Sequence, residues 1–346
     1  MQQMKFTKML FISLAFVIGP VALNASQAQE LHLPALGGLK TELSLDEFDE
    51  LLKKTRRWGE FGDDDQTGAI NLITPEKRVA AATEVRVGRA ISLANPISKT
   101  ATGEFVVPLA HETFVFPPLA GPDCPEVAAG DIFTINYHGA LHSHMDGVSH
   151  FGWEGQLYNG FPFTPSDQGF SNVGLEHIAE KGIFTRGVLV DLPSLYGIDS
   201  LEPGTVITVQ HLEAWEKAMG VKVSSGDVLL VRTGRWVLAA KEDEFNPLAS
   251  TAGLHATVGP WLKERGVAAI GCDAISDVVP GGVESVFNPL HVMANYALGM
   301  PIFDHLQLDE LAEVAKEERR YSFLFTASPL TIQGATGSPL TPFAHF

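Results

Sequence analysis

The sequence predicts a mixed α/β architecture built as one large domain, and three observations predict it. Strand-length apolar runs and amphipathic helical stretches alternate through the second half. The middle is strand-rich with many Gly and Pro. No internal repeat or low-complexity linker interrupts the chain. With 346 residues, 45% of them hydrophobic, the chain can bury a sizeable core.

Taken in order, residues 1–28 read as a secretory signal peptide. Lys5 and Lys8 precede an apolar run from Met9 to Leu23, and small residues at Ser26 and Ala28 place a cut before Gln29. The run is broken by Gly19 and Pro20 and falls short of the ~20 apolar residues of a membrane span. The expectation is a mature domain over 29–346 with no stable membrane anchor, located in the periplasm or secreted. Residues 43–55 have helical spacing, with Asp46 and Glu47 early and Lys53 and Lys54 late, as the helix dipole favours. A Gly-rich polar loop follows, and a second helix starts after Thr74 with Pro75 at its first position. Strands are expected at 90–93, 131–137, 187–191, 228–232 and 267–272, and helices at 210–219, 259–265 and 308–317.

The formal net charge of −17, from 24 basic and 41 acidic residues, offers no basic stripe for phosphate backbones or anionic lipid, so nucleic acid is excluded as a partner class. The two cysteines, Cys124 and Cys272, lack a C-x-x-C context; Cys272 lies beside an apolar run and reads as a small buried residue, and sequence gives no distance from which to pair them.

The densest chemistry lies in YHGALHSHMDGVSHF, which holds His138, His142, His144, Asp146 and His150. If the stretch is extended, alternate side chains share a face, so His138, His142, His144 and Asp146 project together and His150 returns over them after a turn at Gly147. A lone histidine is more often a hydrogen-bonded structural residue. Four with an aspartate point to a divalent metal, and imidazole with carboxylate suits Zn²⁺ or Mn²⁺. Downstream, His291 falls in an apolar helical stretch and Asp304 follows the strand-like 300–303, which allows both to return to one point.

These motifs carry a resemblance. The chain resembles the cyclase family of metal-dependent hydrolases, which includes kynurenine formamidase, isatin hydrolase and the trans-dienelactone hydrolase type. The family signature is H-x-G-T-H-x-D-x-P-x-H, and this chain has ALHSHMDGVSH from Ala140 to His150. DDDQTGAINLITPEKR, FGWEGQLYNG, SSGDVLLVRTG, AGLHATVGPWLKERGVAAIGCD and SPLTIQGATGSPLTPFAHF extend the likeness from about residue 40 to the end. It implies the family's mixed-sheet fold, of swivelling β/β/α type. It also implies His144, Asp146, His150, His291 and Asp304 as ligands of one or two ions, with Asp304 standing where glutamate is usual. The first signature histidine is replaced by Ala140, so either His138 substitutes through a bulge or His142 turns in, or the site has one ligand fewer; a Tyr-His-Gly ahead of the signature in similar members favours His138.

The chemistry so implied is opening or cleavage of an amide, lactam or lactone of a small cyclic or aromatic substrate by metal-bound hydroxide, with His150 alternating between ligation and proton transfer and a homo-oligomer expected. His255 in AGLHATVGPWL is a second catalytic candidate; its structural alternative is a helix cap. Arg232 reads as a substrate-carboxylate clamp or a structural ion pair, and Phe61, Trp153, Tyr158 and Phe161 as pocket walls or core. The competing function class is a binding protein that holds metal or a small ligand on the same fold without turnover.

Overall fold

The computed structural model describes residues 33–40, 42–100, 107–118, 120–241 and 246–346, and Leu33–Phe346 forms one compact unit. Residues 1–28, where a signal peptide is expected, lie outside the described residues. In chain order the strands are β1 (Ala90–Ser92), β2 (Ala110–Val115), β3 (Ala129–Thr134), β4 (His144–Asp146), β5 (Ile183–Asp191), β6 (Val206–Ile207), β7 (Val228–Arg232), β8 (Gly253–Leu254), β9 (Ala269–Cys272), β10 (Ile302–Asp304), β11 (Ser322–Ala327), β12 (Gly337–Pro339) and β13 (Phe343–His345). Nine form one mixed sheet in the order β1-β13-β11-β5-β7-β9-β10-β4-β12; β2 with β3 and β6 with β8 form small separate pairs.

The middle of the large sheet is parallel, β5-β7-β9-β10, and the flanks are antiparallel. VLLVR in β7 and AIGC in β9 are apolar on both faces because both faces are covered. Neighbouring residues divide between two cores with the period of a strand. Val188, Leu229, Ile270 and Ile302 enter one core with Trp215 and Leu262, while Leu189, Leu230 and Phe303 enter the other with Leu311 and Val314. The first face is therefore covered by helices Val209–Met219 and Gly259–Arg265, the second by Asp309–Glu318.

Local signals fix several helix ends. Ser44 caps Leu45–Thr55 with a full capping box through Glu47, and Thr74 caps Pro75–Ala82 by accepting from the Lys77 amide. One expectation fails: 131–137 is not a core strand. β3 ends at Thr134 and, among the described residues, pairs only with β2 in an outlying hairpin, where Ile132 and Phe133 are 60% and 62% exposed. Consequently the histidine stretch does not grow out of a strand of the main sheet. Residues 138–143 follow bends, and only 144–146 are extended and paired. The common-face argument therefore holds for His144 and Asp146 but not for His138 and His142, although all four share a parity.

Candidate metal centre

β4 lies antiparallel to β10, with His144 opposite Asp304 and Asp146 opposite Ile302. Directly paired residues share a face, so His144, Asp146 and Asp304 all project to the side of the first core, while Met145 and Phe303 enter the second. Asp304 ends a parallel strand, the position where open α/β sheets place their ligands. His291 comes from the opposite side. It ends the short helix Pro289–His291, which runs on into a π-helical turn, Val292–Ala297, a form found mostly at functional sites.

These side chains make two triads that could each hold a metal ion, His138–His144–Asp146 and Asp146–His291–Asp304, with Asp146 common to both. Its two oxygens divide between them. Oδ1 is 2.9 Å from His138 Nδ1 and 3.4 Å from His144 Nε2, whereas Oδ2 is 3.2 Å from His291 Nε2, which is also 3.2 Å from Asp304 Oδ2. Close as they are, His138 Nδ1 and Asp146 Oδ1 have no aligned hydrogen-bond partner among the described residues. Buried polar atoms in that condition cost free energy unless something else satisfies them, and donors converging on a shared point suit a cation. His150 stacks on His138 at 4.0 Å between ring centroids, and its Nε2 is 3.7 Å from Asp146 Oδ1, outside both triads.

The far nitrogen of each ring sets which nitrogen is free. His291 Nδ1 is 2.5 Å from Asp277 Oδ2, a carboxylate that can only accept, so Nδ1 carries a proton and Nε2 is the nitrogen turned to Asp146 and Asp304, where a metal ion would take the place of its proton. Asp277 also accepts from the amides of Leu290 and His291, which fastens the helix start. His144 is set in the same way, since Nδ1 meets the carbonyl of His142 at 2.7 Å. On the carboxylate side, Ser276 holds Asp304 Oδ1 through its amide and hydroxyl. The triads thus offer two imidazoles with one carboxylate, and one imidazole with two carboxylates, a donor set that fits divalent Zn²⁺ or Mn²⁺.

The electrostatics agree with a cation site. Burial opposes ionisation of Asp146, but His150 and His144, with His138, hold its carboxyl well below the usual range. Burial likewise opposes charge on His291; Asp304, with Asp146 and Asp277, outweighs it and raises the imidazole well above its ordinary value. His150 is pushed down to about 4 by burial and the neighbouring histidines, so its ring is neutral at neutral pH.

The structure brings together His138, His144, Asp146, His150, His291 and Asp304. It leaves His142 outside both triads, buried and with neither ring nitrogen hydrogen-bonded among the described residues. His255 also stays outside: it caps the short helix Ala256–Val258, with Nδ1 on the Thr257 hydroxyl at 2.8 Å. Arg232 is structural, spanning Asp191 and Asp309. Of the four aromatics proposed as walls, Tyr158 is fully buried and Trp153 packs on Phe48. Phe151 is the aromatic at the centre, 4.7 Å from His150 and 5.0 Å from His291 between centroids.

Sequence reasoning missed Asp277, Ser276, Arg235 and His305. Arg235 is buried, donates to the carbonyl of Ala140 and meets His305 Nδ1 at 2.9 Å. His305 has φ +56°, left-handed for a residue with a Cβ and costing on the order of 1–3 kcal/mol unless its surroundings impose it. They do: its amide donates to Ala274, and its carbonyl accepts from Ser143 Oγ and Asn95 Nδ2. The only advance signal was an aspartate in the apolar run after Cys272 and a histidine beside Asp304.

Comparison with known proteins bears on the family and the fold. A crystal structure described as a novel cyclase is 32% identical, with a TM-score of 0.74, covering 85% of this chain and 99% of its own. An isatin hydrolase bound to the product analogue thioisatinate is 16% identical (TM-score 0.54, covering 78% of this chain and 98% of that one), and isatin hydrolase A from Ralstonia solanacearum is 21% identical (TM-score 0.53, 78% and 97%); these two share the fold. No curated protein matches the chain. The Cyclase family model matches residues 91–277, a span that includes the whole histidine stretch, and with the 32% identical relative it shows that this chain belongs to the cyclase family.

Proposed function

We propose that the protein is an exported metal-dependent hydrolase that opens or cleaves an amide, lactam or lactone of a small cyclic or aromatic substrate. The observation that carries the reading is Asp146, which turns one oxygen to each of two candidate ion sites. His138, His144 and Asp146 would hold one ion, and Asp146, His291 and Asp304 the other. A bound Zn²⁺ or Mn²⁺ supplies Lewis acidity, polarising a carbonyl oxygen and bringing the pKa of water toward about 7. The chain's own residues do the rest. His150, neutral and 23% exposed in its side chain, takes a proton at Nε2 from the attacking water and returns it to the departing nitrogen or oxygen. Phe151, with its ring against His150 and His291, offers an apolar surface for a flat substrate. Similarity in fold to isatin hydrolases, whose named substrate is a cyclic amide, supports the lactam end of this range.

The test is turnover. Mature protein, with and without a chelator, is assayed against aryl formamides, lactams and lactones. Metal-dependent opening of at least one is expected, and Asp146→Asn should lose bound metal and hydrolysis together. Metal binding without turnover of any of them would leave the non-catalytic binding protein as the better reading.

A further inference from the structure

His305 lies beside the two triads, yet its hydrogen bonding is the reverse of a ligand's. A metal-ligating histidine donates its far N–H to an acceptor, as His291 does to Asp277 and His144 to a carbonyl. His305 instead turns Nδ1 to Arg235 Nη1 at 2.9 Å. A guanidinium has only donors, so Nδ1 must be the acceptor and the ring's single proton must sit on Nε2. A second proton on Nδ1 would set two donors against each other. The lone pair that could bind a metal is therefore already used.

What remains is a neutral Nε2–H, on the ring edge away from Arg235. His305 is 1% exposed, its Nε2 has no hydrogen-bond partner among the described residues, and its ring is 5.8 Å from that of His144. The main chain is fastened at both amide and carbonyl, and the left-handed φ holds the ring in this place. Arg235 is fixed in turn by its bond to Ala140, where the family signature has a histidine. A fixed donor without a partner of its own among the described residues, on a ring 5.8 Å from that of His144, is the kind of group that an oxygen gaining negative charge during reaction calls for.

We propose that His305 donates its Nε2–H to the substrate carbonyl oxygen as that oxygen becomes anionic, an oxyanion-stabilising catalytic role for a residue that holds no metal. The proposal rests on the hydrolase reading above. The proton stays on His305 throughout, and no bond to the ring forms or breaks.

Two measurements test it. In the ¹⁵N-labelled mature protein, a long-range imidazole correlation spectrum, assigned by the signal lost in His305→Gln, should show the Nε2-protonated tautomer with and without Zn²⁺. A ring protonated on Nδ1, or on both nitrogens, overturns the proposal without any assay. In kinetics on whichever panel compound is opened, His305→Ala should lower kcat by about 10²–10³-fold with KM little changed, the usual loss for one oxyanion donor. Its Zn²⁺ or Mn²⁺ stoichiometry should be that of the unaltered protein. His305→Gln, whose amide can accept from Arg235 and still donate, should regain part of the loss. Metal lost from His305→Ala would make His305 a ligand, and an undiminished kcat would remove its role. Absence of turnover in the unaltered protein sinks the hydrolase reading and this proposal with it, whereas turnover indifferent to His305 sinks the proposal alone.

Discussion

Asp146 and Asp277 perform different tasks with the same carboxylate, and the difference lies in what each oxygen meets. Asp146 turns its oxygens to the imidazole nitrogens of His138 and His291 and shares a triad with Asp304, while Asp277 is occupied by two amides and the N–H of His291. Removing the charge of Asp277 should loosen His291 without removing a ligand. Asp277→Asn is expected to weaken metal binding about 10–100-fold, as loss of a ligand's supporting hydrogen bond does, measured by competition with a chromophoric chelator. At the N-terminal end of the histidine stretch, His138→Ala should cost about 10-fold or more in metal affinity and His142→Ala much less, because only His138 reaches Asp146. If the His142 variant empties the site and the His138 variant leaves it full, the first triad is misassigned. The local cluster was legible because its members are sequence neighbours. Asp277, Arg235 and His305 were not, since their roles come from contacts made across 14, 95 and 70 residues.

Elements announced by their own ends were the legible part of the fold. Leu45–Thr55 carries acidic residues at its start and lysines at its end, Pro75–Ala82 has its Thr-Pro start, and the buried strand Val228–Arg232 stands out as an unbroken apolar run. β3 was misplaced because Ile132 and Phe133 resemble core residues, and no local signal distinguishes a covered strand from an outlying hairpin. Closeness of approach between elements was equally illegible. Gly68, with φ +63°, lies so near the turn at Gly299 that a Cβ would fall 2.0 Å from the Gly299 carbonyl oxygen. Gly68→Ala should therefore destabilise by about 2–4 kcal/mol, combining backbone strain with a displaced turn, read from the midpoint of urea unfolding.

For the molecule as a whole, the family and the mixed sheet were legible from motifs spread along the chain, while strand order was not, because pairing β4 between β10 and β12 joins segments far apart in sequence. Export is proposed from the Lys5/Lys8, apolar run and Ser26/Ala28 pattern, and N-terminal sequencing of the periplasmic or secreted product should begin at or near Gln29. The two thiols are free; Cys272 is buried, and burial beside Asp273 pushes its thiol well above the usual range. A thiol reagent should label Cys124 alone in the native protein and Cys272 only after unfolding. The pairing of His144 with Asp304 has a further consequence for how such a protein can change over time. Their spacing is set by the peptide ladder between two strands and not by the loops that join them. Between β4 and β10 lie 155 residues, from 147 to 301, and within them the loops that carry neither a strand of the large sheet nor His150, Asp277 or His291 can be lengthened, shortened or rebuilt around new substrates while that pair keeps its separation. A one-residue slip of β4 is the change that cannot be absorbed, since it would present Met145 where His144 and Asp146 now stand. The His144–Asp304 half of the centre is thus inherited as a register, and the loops between the two strands are where the surroundings of that pair are free to drift.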